Sequence, residues 1–327
     1  MDLAIWILVF LGSLAVLIKS SDVFVSAAEK IGLAFRLSPF LVGAIILAFG
    51  TSIPELVTSI YAVIAETSEI VVGNVVGSNI ANVLLVLGSL GVAGAMGGSG
   101  KLVEIHPKKI KIELFFFVIS AVLFSFFIWD GQIAVYEIAF LLAGLGAFLT
   151  LIIKQTTQQL PSTDDNNQAD TKGIAIQGVL LLLSVVGIFF SAKYTIDAII
   201  NLSDLLNLPN EVIALSAVAL GTSLPELMVS VMAVRKGQGD MAVGNILGSN
   251  IFNIFTVMSI SRLFGELEIP VSILQFSLPI MLLATLSFFW IVRDKRLKMG
   301  EGIVLLVAYL LYNLELYTGW LNSLIYK

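Results

Sequence analysis

Residues 50–56 read Gly-Thr-Ser-Ile-Pro-Glu-Leu, and residues 221–227 read Gly-Thr-Ser-Leu-Pro-Glu-Leu. A second pair follows. Gly73–Asn82 reads Gly-Asn-Val-Val-Gly-Ser-Asn-Ile-Ala-Asn, and Gly244–Asn253 reads Gly-Asn-Ile-Leu-Gly-Ser-Asn-Ile-Phe-Asn. From 50 to 221 and from 73 to 244 the displacement is the same 171 residues. Chance matches would not share one offset, so the stretch between them is duplicated as a unit.

Around these motifs the chain is strongly apolar. Of 327 residues 58% are hydrophobic and 13% charged, against roughly one-quarter charged in soluble domains. Apolar runs occupy Leu3–Ile18, Leu114–Ile128, Ile133–Ile153, Ile174–Phe190, Ile269–Val292 and Ile303–Leu316. With flanking residues they reach the ~20 apolar positions needed to cross about 30 Å of hydrocarbon. Lipid is therefore the solvent, and a soluble enzyme is excluded. The expected fold class is an all-α polytopic membrane protein with ten transmembrane helices, roughly 3–31, 38–65, 69–96, 110–128, 131–153, 173–198, 208–235, 240–264, 269–292 and 299–323. Lys19 and Asp22 interrupt the first, which reads as long and tilted. Its start, Met-Asp-Leu-Ala-Ile, lacks the basic n-region of a cleavable signal, so Leu3 onward is read as a retained span.

The division is 1–153 as the first five-helix repeat, 154–172 as a cytoplasmic linker, and 173–327 as the second repeat. Pro-Ser-Thr-Asp-Asp-Asn-Asn inside Gln155–Lys172 marks the linker as flexible, with Asp164 and Asp165 as solvated charges. Five helices per copy is an odd number, so the second copy must enter the membrane from the opposite side. Lys and Arg gather on the cytoplasmic side of membrane proteins. An external N-terminus puts 15 of the 18 basic residues inside, leaving Lys193, Arg262 and Lys327 outside. Inverted repeats whose broken helices meet near the midplane are a transporter architecture. The expected location is the cell membrane, multi-pass, with no nucleic-acid partner and no assigned oligomeric state.

Glu55 and Glu226 lie within apolar helices, where a carboxylate is expensive unless paired, solvated or bound to a cation. Structural carboxylates are the duller reading of a duplicated pair. Pro54 and Pro225 lack an amide donor and disfavour helix in the preceding residue. With Gly50 and Gly221, each is expected to break its helix and free backbone carbonyls for a cation. Asn74, Ser78 and Asn82 are spaced by four, forming one helical stripe, and Asn245, Ser249 and Asn253 repeat it. Gly73 with Gly77, and Gly244 with Gly248, allow a second helix to approach closely.

The donor set is oxygen throughout: carboxylates, hydroxyls, amide oxygens and carbonyls. The chain has no cysteine and one histidine, so thiolate sites are excluded. Calcium takes six to eight oxygens flexibly; magnesium needs a smaller octahedral cage and ranks second. Zinc and copper recruit softer or nitrogen ligands. Two carboxylates about 6 Å apart repel by roughly 3 kcal/mol at an effective dielectric near 20. A divalent ion or two monovalent ions neutralise them. Calcium and sodium compete for the same oxygens, the simplest route to antiport.

On these paired Gly-Thr-Ser-x-Pro-Glu and Gly-Asn-x-x-Gly-Ser-Asn motifs the whole chain resembles the cation/calcium exchanger superfamily, and most its prokaryotic sodium/calcium exchangers. The resemblance implies calcium at Glu55 and Glu226, with Thr51, Ser52 and Ser78 serving from the first repeat and Thr222, Ser223 and Ser249 from the second. It implies sodium contacts from the Ala48 and Ala219 carbonyls, and sliding of helices 1 and 6 against the other eight. It implies transported calcium and sodium as partners, with membrane lipid, and no resident cofactor. One departure stands out. Relatives commonly carry Asp at one of the positions matching Asn82 and Asn253; this chain has Asn at both, which supplies an oxygen without a charge. Proton/calcium, potassium-dependent and other divalent-cation exchange are the alternatives inside the superfamily, and a cation channel or membrane scaffold the alternative outside it.

Overall fold

The computed structural model describes residues 3–96, 103–104, 110–158, 171–205, 223–293 and 296–318. Ten helical rods run through them: α1 Leu3–Ala34, α2 Pro39–Ile64, α3 Glu69–Ala95, α4 Lys111–Phe127, α5 Val135–Gln158, α6 Thr171–Leu205, α7 Leu224–Arg235, α8 Gly239–Phe264, α9 Leu278–Arg293, entered through a π-turn at Ile273–Ser277, and α10 Met299–Thr318. Eight of the described helices are long and apolar enough to cross a membrane. The chain is an all-α, polytopic membrane protein.

The expected boundaries shift in places. α1 runs unbroken through Lys19 and Asp22. At about 1.5 Å per residue its 32 residues exceed the hydrocarbon thickness, so it tilts or projects. α5 starts at Val135, after the positive-φ turn at Gly131. α5 runs to Gln158 and α6 begins at Thr171, so both reach into the expected linker; residues 159–170 lie outside the described residues. Asp164, Asp165 and the stretch expected to begin the seventh helix lie outside the described residues.

Burial separates the rods into two groups. The apolar window of α8 is 94% buried, whereas that of α1 is 6% and that of α6 11%. α1 and α6 pair along their length and turn Leu8, Leu11, Leu182 and Leu183 outward. Such a surface would be a liability in water; in lipid it is the solvated face. Inside, Phe116 meets Phe148 and Phe255 with ring centroids 5.3 and 6.4 Å away, and Phe117 meets Phe288 at 5.2 Å. These contacts join α4, α5, α8 and α9.

The connections between helices sort to two ends. Lys236, in the α7–α8 turn, pairs with Asp22 of α1 at 2.6 Å and donates to Ser26 at 3.0 Å. At the other end of α8, the Glu268 amide donates to Ser68 in the α2–α3 turn at 3.1 Å, and Arg262 donates to the Ile133 carbonyl at 2.8 Å. Between α3 and α4, β1 (Val103–Glu104) pairs antiparallel with β2 (Arg296–Leu297) between α9 and α10. The α7–α8 turn is the repeat counterpart of the α2–α3 turn, yet α8 separates them. The two copies are therefore inverted, as helix parity requires.

The proline expectation needs correction. α2 continues as α-helix through Pro54, and the irregularity falls upstream as a π-helical stretch, Val42–Leu47. Pro54 removes only the amide that would pair with the Gly50 carbonyl. Thr51 meanwhile donates its hydroxyl to the Leu47 carbonyl at 3.1 Å, one turn back. In the second repeat α7 does begin beside the motif, at Leu224 with Pro225 in its first turn, a position proline tolerates. Two further π-stretches, Asn82–Leu87 and Asn253–Met258, are one feature seen in both copies. π-turns of this kind concentrate at functional sites.

The glycine expectation holds for one copy. A Cβ on Gly244 would collide with the Phe40 carbonyl oxygen, and one on Gly248 with the Ala44 carbonyl oxygen. α8 thus lies backbone-to-backbone on the π-stretch of α2. At Gly73 the nearest described atom is 3.6 Å from such a Cβ, and at Gly77 none lies within 4 Å. The counterparts of Phe40 and Ala44 in the second copy, residues 211 and 215, lie outside the described residues.

Candidate cation site

Four helices bring the motifs together at the centre of the bundle. α2 carries Thr51, Ser52, Glu55 and Ser59, and all four are buried. Ser223, at the start of α7, and Glu226 and Ser230 within it are buried as well. α3 presents Asn74, Ser78, Asn79 and Asn82, and α8 presents Asn245, Ser249, Asn250 and Asn253. The i, i+4 spacing puts Asn74, Ser78 and Asn82, and likewise Asn245, Ser249 and Asn253, on one side of their helices, so short polar side chains face one another across an otherwise apolar bundle.

Glu55 and Glu226 meet. Their side chains are close enough to act on one another electrostatically, each about 1% exposed. As carboxylates neither has a hydrogen to give. Ser52 Oγ crosses between the repeats and donates to Glu226 Oε1 at 3.3 Å. Thr51 Oγ1 lies 3.5 Å from both Asn245 Oδ1 and Ser249 Oγ, again joining the copies. The Ala48 carbonyl, at the lower edge of the same cluster, lies 3.4 Å from Thr51 Oγ1.

Several of these atoms have no protein partner. Both carboxylate oxygens of Glu55, Glu226 Oε2, Ser223 Oγ, Asn253 Oδ1 and both amide atoms of Asn82 are buried without a hydrogen bond. Buried polar atoms are normally satisfied, and an unpaired buried carboxylate is especially costly. Lone pairs from oppositely oriented helices converging without donors are what a desolvated cation accepts. The set contains two acids, and among the described residues no cluster of three acidic, His or Cys side chains exists. The chemistry fits a hard cation with oxygen ligands.

The amide nitrogens of Asn74 and Asn245 each make a bond between neighbouring helices. Asn74 Nδ2 donates to Ser59 Oγ at 3.3 Å and Asn245 Nδ2 to Ser230 Oγ at 2.9 Å. Both serines sit one turn beyond a glutamate, so these bonds fasten each Asn-bearing helix to its Glu-bearing neighbour. Ser59 and Ser230 escaped the sequence reading, although they obey the 171-residue offset. Asn79 escaped it too, though it closes the Gly-Ser-Asn motif: Asn253 Nδ2 donates to Asn79 Oδ1 at 3.3 Å, linking α8 to α3. Asn250 turns away, donating to the Ile246 carbonyl at 2.7 Å. Ser78 is buried on α3 beside Asn79. Thr222 and Ala219 lie outside the described residues.

A family profile described as sodium/calcium exchanger protein matches residues 5–154 and 176–317. The chain is 33% identical to sodium/calcium exchanger MaX1 of Methanosarcina acetivorans, over 95% of this chain and 98% of that one. It is 31% identical to an uncharacterized membrane protein of Methanocaldococcus jannaschii, over 92% and 95%. Among solved structures, the sodium-calcium exchanger NCX_Mj soaked with 2.5 mM Na+ and 10 mM Sr2+ superposes with a TM-score of 0.77 at 27% identity. That match covers 95% of this chain and 98% of the other.

Proposed function

The chain belongs to the sodium/calcium exchanger protein family, and from that premise we propose that it is a secondary active sodium/calcium antiporter working by alternating access. One observation carries the reading: two buried carboxylates, one from each inverted copy, come together with three of their four oxygens unpaired. Glu55 and Glu226 bind calcium between them and release it to competing sodium. Ser52 holds Glu226 in place, while Thr51, Ser223, Ser249, Asn82, Asn253 and the Ala48 carbonyl complete the oxygen set. Thr222 and the Ala219 carbonyl are the second-repeat counterparts of Thr51 and Ala48. Asn74, Asn245 and Ser78 line the same cluster.

The repeats are 1–153 and 173–327, joined by a cytoplasmic linker, with the N-terminus outside the cell membrane. That orientation is supported by the basic residues, 15 of 18 inside. A sodium gradient directed inward drives calcium out.

Calcium flux into proteoliposomes, with sodium, potassium and proton gradients imposed separately, tests the counter-ion. Sodium alone is expected to drive uptake; flux driven only by protons would replace the reading with proton/calcium exchange. Glu55→Gln and Glu226→Gln are each expected to lower exchange by about a hundredfold or more, the order expected when one member of a buried charge set is lost. Near-normal flux in either folded variant would remove these roles.

A further inference from the structure

We propose that Asp22, Ser26 and Glu29 of α1, with Lys236 and Gln238 of the α7–α8 turn, form a latch that closes one approach to the cation cluster and must open before an ion passes that way. The proposal rests on the exchange reading above, since such a latch matters only where access alternates. Asp22 pairs with Lys236 at 2.6 Å and with Lys19 at 3.2 Å. Lys236 also donates to Ser26 at 3.0 Å, and Gln238 Nε2 donates to Glu29 Oε1 at 2.5 Å. Positions 22, 26 and 29 are spaced by four and three, so they share one face of α1. The same half of the helix carries its buried residues, from Leu17 to Gly32, and packs against α7. Phe24, fully buried, lies against Gly50, where a Cβ would strike its ring, and Gly50 precedes Thr51 of the cluster. Seated this way, α1 covers the cluster from the α7–α8 end. Toward its other end, a Cβ on Gly12 would meet nothing within 4 Å, and Leu8 and Leu11 face outward.

Inverted repeats transport by rocking one group of helices against another around a fixed site. If every contact were duplicated, the two closed ends would be mirror images of equal energy. These contacts are not duplicated. The α2–α3 and α7–α8 turns share a backbone, with positive φ at Glu66 and at its 171-residue counterpart Gly237. Their side chains differ. The counterparts of Asp22 and Lys236 are Lys193 and Ala65, and those of Glu29 and Gln238 are Ile200 and Thr67. Ala65 and Ile200 have no polar side-chain atom, so neither bond has an equivalent. The latch therefore belongs to the α7–α8 end alone. Partly exposed ion pairs bind weakly, which suits a contact that breaks once in each cycle.

The test places one reporter, Ala28→Cys, in the full chain, which has no cysteine of its own; Ala28 is fully buried on the seated half of α1. Its modification by a small charged thiosulfonate, present on both sides of proteoliposomes, is timed. Lys236→Met is expected to raise the rate by up to about fivefold, the range for one partly exposed pair, and Gln238→Ala to act in the same direction. The reversed pair, Asp22→Lys with Lys236→Asp, is expected to bring the rate back. Raising ionic strength with choline chloride is expected to speed modification with the latch residues intact, an arm that needs no substitution among them. In vesicles of known orientation, Lys236→Met is expected to lower the half-saturating calcium concentration on the α7–α8 side and not on the other; a damaged fold would weaken both. Equal modification rates at low and high ionic strength and in both folded variants overturn the latch, as does an equal change on both sides. Absence of sodium-driven calcium flux in the unsubstituted chain removes the exchange reading instead.

Discussion

At the scale of single residues, the acids are held by neutral neighbours rather than by counter-charges. The nearest protein donor to Glu226 is a serine from the opposite repeat, and Glu55 has none. That leaves both free to surrender their lone pairs to an ion and to take another in its place. A fixed lysine or arginine would neutralise the pair and abolish competition. Ser59 and Ser230 act behind the acids, each anchoring an asparagine from the adjoining helix. Ser230→Ala is expected to weaken apparent calcium affinity about tenfold, the lower end for losing a group that orients a ligand. Ser59→Ala, with the longer bond, is expected to do less. Calcium titration of flux measures both, and an unchanged Ser230→Ala would show that Asn245 orients itself without help.

At the scale of helices, the decisive contact is α8 against the π-stretch of α2. Gly244 and Gly248 let two backbones touch there, which brings Asn245 and Ser249 to Thr51. Gly248→Ala pushes a methyl into a carbonyl oxygen and is expected to cost about 1–3 kcal/mol, the range for overpacking. Gly12→Ala, where a Cβ meets nothing within 4 Å, is expected to be neutral or slightly stabilising, since alanine is the better helix former. Thermal unfolding in detergent separates them; equal midpoints would deny the close approach. The Asp22–Lys236 pair is partly exposed, with side chains 29% and 27% accessible. Such pairs contribute about 0–1 kcal/mol, so this one positions α1 against the α7–α8 turn more than it stabilises the bundle.

At the scale of the whole molecule, the inverted copies give one site two equivalent approaches, and the outer pair α1 and α6 is bound mainly to itself. The turn contacts assign connections to two ends, and the bias of the basic residues is the basis for proposing which end is cytoplasmic. The chain contains no cysteine, so single replacements report topology cleanly. Ser162→Cys is expected to react with a membrane-impermeant maleimide only after permeabilisation, and Glu266→Cys in intact cells. The reverse pattern would turn the protein over and, with it, the direction in which sodium drives calcium.

Much of this was legible before folding. The 171-residue offset, the odd helix count and the basic-residue bias imply inversion, because each survives without knowing a contact. The acids were legible because a duplicated Glu in an apolar helix has few other uses. Pairing was not. Which hydroxyl reaches which carboxylate, that Asn79 meets Asn253, and that Asn74 and Asn245 serve serines depend on residues 15 to 174 positions apart. Proline chemistry alone also misplaced the irregularity in α2, since it cannot see a π-turn changing register upstream. Local pattern determined the polar residue types and the symmetry; three-dimensional packing decided their partners, because hydrogen bonds between helices are set by close backbone approach.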